Sequence, residues 1–129
     1  DIAQEKSSIC DVIIKTDDYE VTAKMDLMSI VSVDGSKAQA VHSEAMAAIM
    51  PITAANIGKY QDANIEYALA VVTGWPEESN DFFRGEYSKD LLKEILTTPA
   101  FYPISPAIRE ASALSKNFIA TALLKLVPS

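Results

Sequence analysis

At 129 residues, 49% of them apolar and 22% charged, the chain has the size and balance of one globular domain with a single core, which excludes an intrinsically disordered polymer. A formal net charge of −7 argues against a nucleic-acid surface, because that needs clustered Lys and Arg to neutralise phosphates. Cys10 stands alone, so no disulfide framework forms within the chain; this fits a reducing compartment, and no CxxC or His-rich spacing offers a metal site.

The longest apolar runs, ALAVV and FIATALL, fall short of the ~20 residues of a membrane span. The opening DIAQEKSS lacks the basic start and apolar stretch of a secretory signal. Neither membrane insertion nor export is expected, and residues 1–8 are read as disordered.

Cys10 to Thr16 (CDVIIKT) and Tyr19 to Leu27 (YEVTAKMDL) flank Asp17-Asp18. In the second segment Tyr19, Val21, Ala23, Met25 and Leu27 alternate with Glu20, Thr22, Lys24 and Asp26, the period of a strand. An Asp-Asp step fits a tight turn, which predicts a β-hairpin region over 9–33. Ser29 to Gly35 reads as extended, ending in a turn at Asp34-Gly35. Ser36 then caps a helix carrying Ala38, Val41, Ala45, Ala48 and Ile49, and Pro51 ends it. ITAANIGKYQ is open between a helical turn and a loop, with Thr53 or Asn56 able to cap a short helix.

Asp62 reads as the N-cap of the next helix, in which Ile65, Leu69, Val72 and Trp75 share one face. Gly74 then takes the left-handed position past the helix end, and Pro76 forbids continuation. Trp75, the one tryptophan, falls where the chain leaves the helix, so its ring is expected to fold back over Val71 or Val72. After the loop EESNDFFRGE, Ser88 caps a short helix with Tyr87 stapled on Leu92. Leu91, Leu92, Ile95 and Leu96 form its inner face and Pro99 closes it. Ser105 as N-cap with Pro106 in the first helical position opens a long last helix. Its apolar band, from Ile108 through Ala111, Leu114, Phe118, Ile119, Ala122 and Leu123 to Leu126, runs nearly to Pro128.

No internal repeat, low-complexity segment or long linker divides the chain. The expected architecture is α+β and predominantly helical. It has an N-terminal β-hairpin followed by about four helices over 36–129, around one core in a single domain, 1–129.

Chemistry is sparse. His42 with Ser43 and Glu44 suggests a triad, but successive helical residues point about 100° apart and cannot converge, so His42 reads as an exposed or packing residue. Cys10 reads as a small buried strand residue. Asp17-Asp18 reads as a turn and Glu77-Glu78 as a solvated loop. The scattered Gly35, Gly58, Gly74 and Gly85 form neither a dinucleotide fingerprint nor a phosphate loop. No catalytic residue, metal or cofactor is expected, and the chain is not read as an enzyme. Trp75, Phe82, Phe83, Tyr87, Phe101 and Tyr102 cluster among acids, which disfavours base stacking. They read first as a core cluster closing the loop between two helices, and second as a protein-binding patch.

YALAVVTGWPE, a Phe-containing loop and YSKDLLKEILTTPAFYPISPAIREA together resemble the tail assembly chaperones of bacteriophages with long non-contractile tails, the lambda-like minor tail proteins. The shared features fall on Val72, Gly74 and Trp75, then Phe82 or Phe83, then Leu91, Leu92 and Leu96, then Pro99, Pro103, Ile104 and Ile108. They cover about residues 65 to 115; this Phe loop is longer and more acidic than the usual one.

The resemblance implies a non-enzymatic protein of the host cell cytoplasm. It would bind the tape measure protein, recruit tail tube subunits, associate with itself and leave before the tail is complete. A frameshifted, C-terminally extended form is also implied. Trp75, Phe82, Phe83, Ile108, Phe118 and Leu123 are the candidate protein-binding residues. The band from Ile108 to Leu126 either covers an apolar stripe of that partner or packs on the chain's own hairpin. An acidic nucleic-acid mimic that inhibits a DNA-binding enzyme is the competing class, although 18 acids are offset by 11 bases without long runs. A small hydrolase lacks a base and nucleophile pair.

Overall fold

A computed structural model describes residues 7–30, 32–98, 101, 103–114 and 118. Strands β1 (Ser7–Lys15) and β2 (Glu20–Met28) form the antiparallel hairpin, in register from Lys15 opposite Glu20 to Ser7 opposite Met28. Asp17 and Asp18 lie at its tip as expected. The Thr16 side chain holds the turn: its Oγ1 accepts from the backbone N–H groups of Asp18 and Tyr19, each at 3.3 Å. Ser7 and Ser8 belong to β1, which corrects their assignment to a disordered start. Alternation sorts most of the hairpin: Cys10, Val12, Ile14, Ala23, Met25 and Leu27 are buried and Ile9 and Ile13 are exposed, whereas Tyr19 and Val21, in phase with the buried set but next to the tip, are exposed.

Helix α1 (Val33–Ile49) begins earlier than Ser36 predicts. Its N-cap is Ser32, whose Oγ accepts from the Gly35 N–H at 3.0 Å and donates to the Ser29 carbonyl at 2.7 Å. The Ser32 N–H also donates to the Ser29 carbonyl, a turn in place of the extended run expected up to Gly35, and Ser36 Oγ donates back to the Ile30 carbonyl. A Cβ on Gly35 would overlap the Ser29 carbonyl oxygen, so this turn admits no side chain there. Pro51 follows the helix end as expected.

Asn56 organises the link to α2 (Ile57–Val71): its Oδ1 accepts from the Thr53 N–H and its Nδ2 donates to the carbonyls of Ile49 and Pro51. The helix starts here, so Gly58 sits in its first turn and Asp62 in its middle, not at its cap. Its far end also differs from expectation. Val72–Gly74 is a third strand, β3, paired antiparallel to β2 through Asp26 opposite Gly74 and Leu27 opposite Val72. The β-branched run Val71-Val72-Thr73 favours extended backbone, and β2 offers the ladder bonds that a further helical turn would otherwise supply. Gly74 therefore makes no left-handed helix cap. The sheet order is β1-β2-β3.

The segment read as a loop contains a 3-10 turn, Glu77–Ser79, and helix α3 (Asn80–Phe83), closed by Arg84 in the left-handed region at φ 64°. Helix α4 (Lys89–Thr97) is capped by Ser88, whose Oγ accepts from the Leu91 N–H at 3.0 Å, as its sequence predicts.

Helix α5 (Ile104–Ala113) starts after Pro103, so Ser105 is a buried helical residue and not the cap. Pro106 becomes the third helical residue, where its missing N–H is still one of the unpaired first-turn donors. The expected long helix is interrupted: Leu114 is extended, and the Ser112 carbonyl accepts from the Ile30 N–H at 3.3 Å. That bond uses an acceptor which continuation would need. Of the predicted band beyond Leu114, Phe118 is buried, and Ile119, Ala122, Leu123 and Leu126 lie outside the described residues.

The fold is α+β and helix-rich, as expected, with a third strand and five α-helices among the described residues. One buried cluster joins the inner face of the sheet to α2, α4, α5 and Phe118. Helix α1 lies outside it, packed on α2.

Candidate functional site

The tryptophan at the exit of α2 is a structural fastener. Its ring stacks on Phe83 with centroids 4.3 Å apart and meets Tyr87 edge-on at 5.2 Å. Its Nε1–H is shared between Asn80 Oδ1 at 3.0 Å and the Gly85 carbonyl at 3.1 Å. The Tyr87 hydroxyl donates to the Val72 carbonyl, and Ser79 Oγ donates to the Lys24 carbonyl at 2.7 Å. These contacts clamp the 77–87 segment onto the end of the sheet.

The six predicted contact residues are thereby redistributed. Trp75, Phe83, Ile108 and Phe118 are 9%, 3%, 0% and 0% exposed, so they are core residues and offer a partner no area in this fold. Phe82 is 40% exposed and remains available. Leu123 lies outside the described residues. Of the two sequence readings for the aromatics, the core cluster is the one that forms around Trp75.

The reactive side chains do not meet. Cys10 is buried, its Sγ donates to the Ser8 carbonyl, and burial, with the charges of Asp26 and Asp11, pushes its thiol up from 9.0 to about 12. Such a group is not a thiolate nucleophile at neutral pH. Among the described residues, no group of three or more His, Cys, Asp and Glu could hold a metal ion.

His42 is 3% exposed, which removes it from the exposed class. Its Nε2 lies 2.8 Å from Asn64 Oδ1, and its ring meets Tyr67 edge-on at 5.5 Å. Ser112 Oγ donates to the Arg109 carbonyl at 3.0 Å, so across the 2.7 Å contact the Tyr67 hydroxyl is the donor to Ser112. A polar seam thus runs through the helical layer.

Above that seam lies an open groove of about 700 Å³ between α1 and α2. Ala38, Ala45, Ala63 and Ala70 leave it empty because their methyl groups cannot fill the furrow between two helices. Met28 and Tyr67 also line it, and Val41, 63% exposed, stands beside it. Asp34, Lys37, Lys59, Asp62 and Glu66 supply charge of both signs. In sequence, Ala38, Val41 and Ala45 read only as apolar residues carried by a helix. The missing signal is the start of α2 at Ile57, which places Ala63 and Ala70 opposite them.

No family model, curated protein or solved structure matches the chain. No described helix is long and apolar enough to cross a membrane.

Proposed function

We propose that the chain works by contact alone, as a tail assembly chaperone that holds a phage tape measure protein in the host cytoplasm and recruits tail tube subunits to it. The α1/α2 groove carries this reading. It is apolar along its length, open to solvent and edged by both signs of charge, which suits one amphipathic helix laid into it. The resemblance over residues 65 to 115 supports the same reading, since its Gly-Trp, Phe and Leu features fall in the folded unit around Trp75 and α4. Self-association and departure before the tail is finished belong to this proposal.

The contact surface moves from the last helix to α1 and α2, with Phe82 as a separate exposed aromatic. An acidic mimic of nucleic acid has less support. On the hairpin, acids alternate with lysines and pair with them, Lys24 to Asp11 at 2.8 Å and Lys15 to Glu20 at 3.4 Å, which breaks up any phosphate-like row.

Co-expression with the tape measure protein of the same genome tests the proposal. The wild type raises the soluble yield of that protein and copurifies with it. Val41→Asp, on an exposed position that leaves the core intact, removes the effect. A soluble yield unchanged by the wild type refutes the chaperone reading, and full activity of Val41→Asp moves the contact away from the groove.

A further inference from the structure

Strand β1 is one border of the sheet: it pairs with β2 along one side, and no described strand lies along the other. Folded chains usually guard such a border with a proline, a bulge, an inward charge or a very short strand, because its free N–H and C=O groups recruit another strand. β1 has none of these. It runs Ser7–Lys15 in unbroken register with β2, carries no proline, and its inward Cys10, Val12 and Ile14 are apolar and buried. Its outward Ile9 and Ile13 are more than half exposed, with Asp11 and Lys15 as its charges.

Room for a further strand lies at one end of this border. A cleft of about 480 Å³ opens between the 13–17 stretch and the start of α5, walled on the helix side by Pro103, Pro106, Ala107 and Glu110.

We infer that a second copy of this chain pairs on this border, β1 against β1 in the antiparallel sense, about a twofold axis at Ile13. Directly opposed residues of an antiparallel pair share a face, so the axis has to pass through a residue if both inner faces are to stay on the core side. The charges then choose which residue. An axis at Asp11 sets two carboxylates against each other, and axes at Cys10, Val12 or Ile14 set Asp11 or Lys15 against an isoleucine. An axis at Ile13 sets Asp11 of each copy against Lys15 of the other, with the two Ile13 side chains in contact between them. Lys24 already holds Asp11 at 2.8 Å and Glu20 lies 3.4 Å from Lys15. The row across four strands therefore reads Lys24, Asp11, Lys15, Glu20, its signs alternating throughout, and the axis generates a second such row. Opposite signs at contact matter here, because two chains of −7 each otherwise repel. This pairing gives the proposed self-association a surface, but it rests on the border of the sheet and not on the tail role.

Light scattering of the full chain across concentration tests the pairing. The wild type is a dimer that dissociates on dilution. Ile13→Lys, at an exposed position, places like charges on the axis and raises the dissociation constant by about tenfold or more, with the circular dichroism of the fold unchanged. Cysteine substitution under an added oxidant fixes the register. Opposed Cα atoms lie about 4.5–5.5 Å apart, within reach of a disulfide, so Ile13→Cys gives a linked dimer whereas Ile9→Cys does not; the buried Cys10 takes no part. A wild type that is monomeric at every concentration, a dimer untouched by Ile13→Lys, or linkage at Ile9→Cys in place of Ile13→Cys overturns the pairing. Because the cargo assay reads Val41 on α1 and this one reads Ile13 on β1, either proposal can fail alone.

Discussion

The Tyr67 hydroxyl donates to Ser112 Oγ across 2.7 Å, joining the middle of α2 to the last turn of α5 where both side chains are shut away from solvent. The Ser112 hydroxyl in turn donates to the Arg109 carbonyl, so the chain of bonds ends on backbone. Tyr67→Phe removes the donor and leaves Ser112 with its other bond intact. Urea unfolding should show a loss of about 1 kcal/mol with an unchanged m-value. A neutral substitution would mean that the seam contributes no net stability.

Gly35→Ala should be far more damaging than an alanine normally is in a helix. The added methyl would overlap the Ser29 carbonyl, part of the turn that caps α1. Backbone has to move, so a loss of about 3 kcal/mol or more is expected. Thermal unfolding of the variant measures it, and a loss below about 1 kcal/mol would show that the turn rearranges freely.

Trp75 gives a graded series. Trp75→Phe keeps a ring against Phe83 and loses the shared bond to Asn80 and Gly85, for about 1–2 kcal/mol. Trp75→Ala loses the packing as well and should cost about 3–5 kcal/mol. Because the chain has one tryptophan, wild-type fluorescence follows this segment directly, while far-ultraviolet dichroism compares all three proteins. Equal losses in the two variants would contradict the packing role.

Cys10 should resist a thiol reagent at pH 8 in the folded protein and react at once in denaturant. Burial and nearby carboxylates raise its folded value to about 12 from 9.0, so the folded state holds its proton more tightly than the unfolded state. The associated stability is complete below pH 9 and declines as pH rises from 9 toward 12. A denaturation midpoint that falls over that window in the wild type and less in Cys10→Ala checks the sign; identical slopes would refute it.

Much of the fold is legible in local pattern. The alternation from Tyr19 to Leu27 fixes which face of β2 is buried, and Ser88 three residues before Leu91 marks a helix start, because both depend on neighbours in sequence. What escapes local reading depends on distant partners. Val72–Gly74 becomes a strand because β2 has an edge to pair with, and α5 stops at Ala113 because the Ile30 amide takes the Ser112 carbonyl. Ser36 reads as the cap in sequence, and the turn at Ser29 gives that place to Ser32. Among the candidate contacts, Trp75 and Phe83 read in sequence first as core and second as a binding patch, and Asn80 and Gly85 closing on the indole decide for the interior. The groove requires the pairing of α1 with α2, which no single stretch encodes.

Helix α2 passes into β3 without an intervening loop, Val71 being its last helical residue and Val72 the first of the strand. The wall of the groove and the third strand of the sheet are therefore one continuous piece of backbone. On the proposed reading, a bound helix that tilted α2 would pull on the pairing of Val72 with Leu27 and so load the hairpin through a single short ladder.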